Sequence, residues 1–340
     1  MEKRKYKSTR IMVVFIVIII FCFIFIKYQN QDKRTLPFHK CMNIGNALDS
    51  PKNIEWDVQI KNEYFDLIKN AGFDSVRIPI RFSDYAKDQP NYIIEESFMK
   101  EVDEYVDYAL SNDLVVILDL HHFLELMEEP DKYKDCFLRI WEQLAQRYQN
   151  YPDKLVFEIL NEPNKNLKSN IWNEYLNEAI NIVRKSNKSR LIIVGATEFS
   201  SLDSLKYLKL PEDKNLIATF HFYEPNEFTF QGNVYHKGFE DLKNIPWSGT
   251  DSEVKYIKER FSTVKTWADK NKIRVFLGEF GANNNAPEKD RELWIKQVRK
   301  TAEEMGFAWG YWELCSEFGI YDTKTSSWNE FLLNALIDKQ

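Results

Sequence analysis

The chain has 340 residues, 44% of them hydrophobic, 15% aromatic and 29% charged, a composition that builds a globular core and excludes a disordered or fibrous protein. Its 46 basic and 52 acidic residues leave a net charge of −6, so there is no excess positive charge to hold phosphate backbones and nucleic acid is not an expected partner. The four cysteines, Cys22, Cys41, Cys136 and Cys315, are too few for a disulfide framework.

The N-terminus reads as an anchor. Lys3, Arg4, Lys5, Lys7 and Arg10 stand against one acid, Glu2, and 16 apolar residues then run unbroken from Ile11 to Ile26. As a helix this run is roughly 24 Å long, slightly short of a bilayer's hydrocarbon core, and Arg10 and Lys27 are placed to snorkel. A cleaved signal peptide is the competing reading, but Lys27-Tyr28-Gln29-Asn30 offers no small-residue cleavage site. The expected organisation is a cytoplasmic basic segment (1–10), a transmembrane anchor (11–26), a linker (27–38) and an extracellular domain (39–340). Without residues 1–34 the remainder holds 38 basic and 50 acidic residues, a net of −12. Such a surface repels acidic polymers and is indifferent to neutral ones.

Eight short apolar runs follow: Cys41–Ile44, Ser75–Ile78, Val115–Leu120, Leu155–Ile159, Leu191–Val194, Leu216–Phe220, Arg274–Leu277 and Ala308–Tyr311. Amphipathic helical patterns separate them, such as Phe137, Ile140, Trp141, Leu144 and Tyr148. Near-continuous apolar strands alternating with helices predict parallel strands covered on both faces, and eight units predict a closed (β/α)₈ TIM barrel. Trp328, Phe331, Leu332 and Ala335 predict the last helix. An open doubly wound sheet is the alternative, but no G-x-G-x-x-G follows the first strand.

In such a barrel the chemistry sits just past the strands' C-terminal ends. There the chain places Asn43 and Asn46, Arg77, Asp119 with His121-His122, Asn161-Glu162-Pro163, Thr197-Glu198, His221 and Tyr223, Glu279, and Trp312-Glu313. Glu162 and Glu279 end the fourth and seventh strands and are expected to face each other across the mouth. Paired carboxyls suit glycoside hydrolysis, one protonating the leaving oxygen while the other attacks the anomeric carbon or activates water. Asn161 is placed for a sugar 2-hydroxyl, Arg77 and Tyr223 to hold Glu279 ionised, and His221 to tune the acid. Aromatic platforms are expected beneath the sugar rings: Trp312 first, then Phe123 and Trp247, with Trp172, Tyr235 and Phe318 as further loop aromatics. His121, His122 and Asp119 are the metal alternative. Neighbouring strand residues point to opposite faces, so both imidazoles are not expected on one ion. No cofactor is expected.

These motifs together resemble one family. Asn43-Ile44-Gly45-Asn46-Ala47-Leu48-Asp49, Val76-Arg77-Ile78-Pro79, Asp119-Leu120-His121-His122, Leu160-Asn161-Glu162-Pro163, His221-Phe222-Tyr223, Leu277-Gly278-Glu279-Phe280-Gly281 and Trp312 are similar to glycoside hydrolase family 5, the endoglucanase family. The resemblance spans roughly residues 39–335 and every strand end except the fifth. It implies a retaining mechanism with Glu162 as acid/base and Glu279 as nucleophile, supported by Arg77, His121, Asn161, His221, Tyr223 and Trp312, and no metal; Asn46, His122, Phe123 and Trp247 are expected toward substrate from their places at and after the strand ends. Phe228-Thr229-Phe230-Gln231-Gly232 matches the family's loop after the sixth strand except for Phe230, where His is common. The expected activity is an endo-β-1,4-glucanase, with β-mannan, xyloglucan and mixed-linkage glucan as other substrates of the same chemistry. With the anchor, the expected partners are the membrane, a β-glucan made at that membrane and the cellulose synthesis machinery. A catalytically silent carbohydrate-binding surface protein and a metal-dependent hydrolase are the readings from other classes.

Overall fold

The computed structural model describes residues 36–338 apart from 57 and 88. The expected anchor, the basic segment before it and most of the linker lie outside these residues. Among the described residues no helix is long and apolar enough to cross a membrane.

Residues from Pro37 onward form one unit. Its eight parallel strands, β1 (Lys40–Asn43), β2 (Ser75–Ile80), β3 (Val115–Leu120), β4 (Leu155–Glu158), β5 (Ile192–Gly195), β6 (Leu216–His221), β7 (Arg274–Phe280) and β8 (Ala308–Tyr311), pair in sequence order and close through β1–β8. All six residues of β2, β3 and β6 are buried, which is why the runs read as continuously apolar. The barrel packing begins one residue before the expected boundary, where buried Phe38 meets Phe276 edge-on at 5.3 Å.

The larger helices are α1 (Asn62–Ala71), α2 (Glu96–Ser111), α3 (Pro130–Arg147), α4 (Ser169–Ser186), α5 (Asp251–Asn271), α6 (Glu288–Glu304) and α7 (Glu330–Leu336). Each follows the amphipathic rule: Phe137, Ile140, Trp141 and Leu144 form the buried stripe of α3. The fifth crossover departs from the pattern, its place taken by a 3₁₀ helix, Leu202–Tyr207. The last helix also differs from expectation. Trp328 belongs to a two-residue strand packed on Tyr321 and Phe73, and Phe331 on α7 is 64% exposed, because only Leu332, Ala335 and Leu336 face inward.

Candidate active site

The C-terminal ends of the strands surround a cleft of about 770 Å³. Buried charge lies under its floor. The guanidinium of Arg77, central in β2, donates from Nε to Glu158 (2.7 Å), from Nη1 to Asn43 (3.0 Å) and Glu279 (2.9 Å), and from Nη2 to Glu158 (3.1 Å) and Asn161 (2.7 Å). Asp119 Oδ2 is 3.0 Å from the same Nη2. Strand register assembles this set, pairing Asn43 with Arg77 and Asp119 with Glu158. One cation faces three carboxylates. Burial, against the pull of Arg77, pushes both Asp119 and Glu158 up to about 7.

Glu279 is the carboxylate that keeps its charge. Besides Arg77 it accepts a hydrogen bond from the Tyr223 hydroxyl at 2.9 Å. Burial acts to raise it, but His221 and Arg77 outweigh burial and hold it down to about 2. Glu162 is poised the other way. Burial raises it, and its 2.7 Å bond with His221 Nδ1 offsets only part of that rise. His221 stands between them, 3.5 Å from Glu279, brought there by an irregularity between Phe220 and His221 that sets His221 opposite Glu279. Burial disfavours its charge, yet Glu279 and Glu162 raise it overall. Gly278 makes room for this imidazole: a Cβ there would lie 3.0 Å from His221 Nε2 and 2.6 Å from Thr219 Oγ1.

Trp312 lies parallel to His121, ring centroids 5.5 Å apart, over Gly45, where a Cβ would stand 2.5 Å from the indole. The following Glu313 carboxylate receives the backbone N–H groups of Cys315 and Ser316 and pins that loop. Asn46, His121, His122, Asn161, Glu162, His221, Tyr223, Glu279 and Trp312 all line the cleft, as their strand-end positions predict.

Three expectations are corrected. Phe123 and Trp247 do not line the cleft; each is 2% exposed, because both rings turn into the hydrophobic core, Phe123 against Tyr133 at the start of a short helix. Trp172 is likewise buried, its indole N–H spent on the Gly195 carbonyl. Third, the two neighbouring histidines do not point apart. β3 ends at Leu120, so the alternation of a strand no longer governs His121 and His122, and their rings meet at 4.6 Å.

Other residues were missed. Glu158 completes the Arg77 network together with Asn43, and a charge interrupting the apolar run Leu155–Ile159 was the available signal for Glu158. Trp56, Phe199 and Phe239 join Tyr235 and Phe318 on the cleft wall. Phe230, standing where histidine is common, stacks on His236 at 4.3 Å, which puts an imidazole beside that wall from six residues further on. The three described cysteines are free.

An eight-stranded parallel barrel whose mouth brings together two carboxyls, one held down and one pushed up, has the form of a glycoside hydrolase. The chain belongs to the cellulase family, glycosyl hydrolase family 5, whose family model matches residues 41–318. It is 33% identical over 302 residues to endoglucanase H of Acetivibrio thermocellus, covering 87% of this chain and 32% of that protein, so it spans about a third of that relative's length. Among solved structures it is similar to the clostridial cellulose synthase subunit Z from Clostridioides difficile (55% identity, TM-score 0.87, 88% of this chain and 100% of that one). It is also similar to a hyperthermophilic endo-β-1,4-glucanase in complex with substrate (45% identity, TM-score 0.87, 89% and 97%).

Proposed function

We propose that the chain is a retaining endo-β-1,4-glucanase in which Glu162 is the acid/base and Glu279 the nucleophile. One observation carries this reading: Glu162, His221 and Glu279 each contribute an atom to a cluster within 4.8 Å. Carboxyl groups about 5 to 5.5 Å apart leave no room for the water that an inverting enzyme needs between them, at about 6.5 to 9.5 Å.

The steps follow from the two environments. Glu279, held ionised by Arg77, Tyr223 and His221, attacks the anomeric carbon as Glu162 gives its proton to the departing glycosidic oxygen. A glycosyl ester on Glu279 and a shortened glucan result. Glu162, now ionised and bonded to His221, takes a proton from water, whose oxygen displaces Glu279 and restores both groups.

Glu162→Gln and Glu279→Gln should each lower hydrolysis of a soluble β-1,4-glucan by several orders of magnitude. The sugar first formed should be the β-anomer; appearance of the α-anomer by NMR would sink the retaining reading. Products from cello-, manno- and xyloglucan oligosaccharides decide among the β-glycans.

The site of action is proposed to be the outer face of a membrane that makes the polymer. The apolar run 11–26 and the likeness to a cellulose synthase subunit support this. A deletion strain whose cellulose is unchanged in amount and texture counts against it.

A further inference from the structure

We propose that Asp49, His121 and His122 form a second site on the cleft, one that takes a borderline-soft divalent cation such as Zn²⁺ and that cation and sugar occupy in turn. Each of the three offers one ligand atom, and these atoms lie within 4.8 Å of one another. Two imidazoles and a carboxylate are the donor set that Zn²⁺ takes from proteins, leaving a coordination position open for water.

The surroundings fit ligands more than packing. His121 Nδ1 is 2.5 Å from Asp119 Oδ2, which fixes the ring and leaves Nε2 as the outward nitrogen. A carboxylate behind an imidazole is the usual support of a metal-binding histidine. Asn161 Nδ2 approaches Nε2 only to a long 3.4 Å. Asp49 is buried and oriented by the backbone N–H groups of Asn46 (3.2 Å) and Ala47 (2.7 Å), and among the described residues no lysine or arginine forms an ion pair with it. A buried carboxylate without a lysine or arginine partner is costly in its charged form: burial pushes Asp49 up toward the neutral acid, and a bound cation would instead hold it ionised. The site opens onto the cleft, since all three residues line it, and His121 stacks on Trp312. A cation held there takes the space of a pyranose ring beside Trp312. It inhibits hydrolysis and drives none of its steps. The competition with sugar rests on the glucanase reading; the binding itself does not.

The test is calorimetric titration of the full-length protein with Zn²⁺ in the absence of carbohydrate, together with the visible spectrum of Co²⁺ in its place. One Zn²⁺ per chain is expected, with affinity lowered by about tenfold or more in Asp49→Asn and in His122→Gln. Zn²⁺ should raise KM for cellotetraose at constant kcat, reversibly with EDTA, and cellotetraose should bleach the Co²⁺ bands of the unsubstituted protein. No binding at millimolar Zn²⁺ overturns the proposal. So does binding that survives both substitutions and disappears in Glu279→Gln, or Co²⁺ bands that persist in saturating sugar. A protein that binds Zn²⁺ as stated but cleaves no β-glycan refutes the glucanase reading and upholds the cation site.

Discussion

Glu162 and Glu279 are the same side chain under opposite constraints. Both are buried, and burial raises both, yet Glu279 has a guanidinium, a phenol and an imidazole around it, whereas Glu162 has the imidazole. The difference in neighbours sets the difference in role. Tyr223→Phe removes one hydrogen bond to the ionised form of Glu279, so that carboxyl rises from about 2 toward its ordinary 4.5. Because Glu279 must be ionised to attack, the acid limb of kcat/KM on cellotetraose should move to higher pH, while the alkaline limb, set by the proton on Glu162, stays in place. An acid limb that does not move would show that Tyr223 has no hold on that charge. The two glutamates were legible because each follows an apolar run in a motif of its own. Glu158 was not, since its role depends on Arg77 from another strand.

Strands and helices carry their own consequences. β2, β3 and β4 bring Arg77, Asp119 and Glu158 together inside the barrel, and Glu158 is pushed by burial from its ordinary 4.5 up to about 7. The folded state therefore favours the protonated acid. This contribution is full below pH 4.5, is lost as the pH rises to about 7, and is flat above that. Glu158→Gln cannot titrate, so its unfolding free energy in urea should fall less than that of the unsubstituted protein over this window, the difference reaching about 3 kcal/mol at most. Equal declines would show that Glu158 is not protonated in the fold. On the outer ring, Thr250 caps α5: its hydroxyl accepts the Glu253 N–H while Glu253 Oε2 accepts the Thr250 N–H at 2.7 Å. Thr250→Ala should cost about 1 kcal/mol in urea unfolding with kcat unchanged, since the cap lies away from the cleft.

Over the whole chain the charge divides unevenly. Residues 35–340 carry −12 and the first 34 residues carry +6, a division that suits a neutral glycan outside and a basic flank inside. The full-length protein is expected to sediment with membranes and resist extraction by high salt, and residues 35–340 alone to remain in the supernatant. A full-length product recovered shortened and soluble would favour the cleaved signal peptide. The cation site extends the same logic: a strongly acidic exterior concentrates divalent ions around a cleft that holds the buried Asp49.

The repeat of strand and helix, the closed barrel and the placing of two glutamates at its mouth were readable along the chain because their signals are local: an apolar run, a 3.6-residue stripe, a short motif at a strand end. What touches what was not. Phe123 and Trp247 are aromatic like Trp312, but packing into the core buries them, while Trp312 lies over Gly45. His121 and His122 converge because β3 stops one residue earlier, and His221 reaches both glutamates through a shift in strand register. Burial and register depend on residues tens to hundreds of positions away. A carboxyl's charge depends on them in turn, so the roles of identical side chains took shape only in the folded barrel.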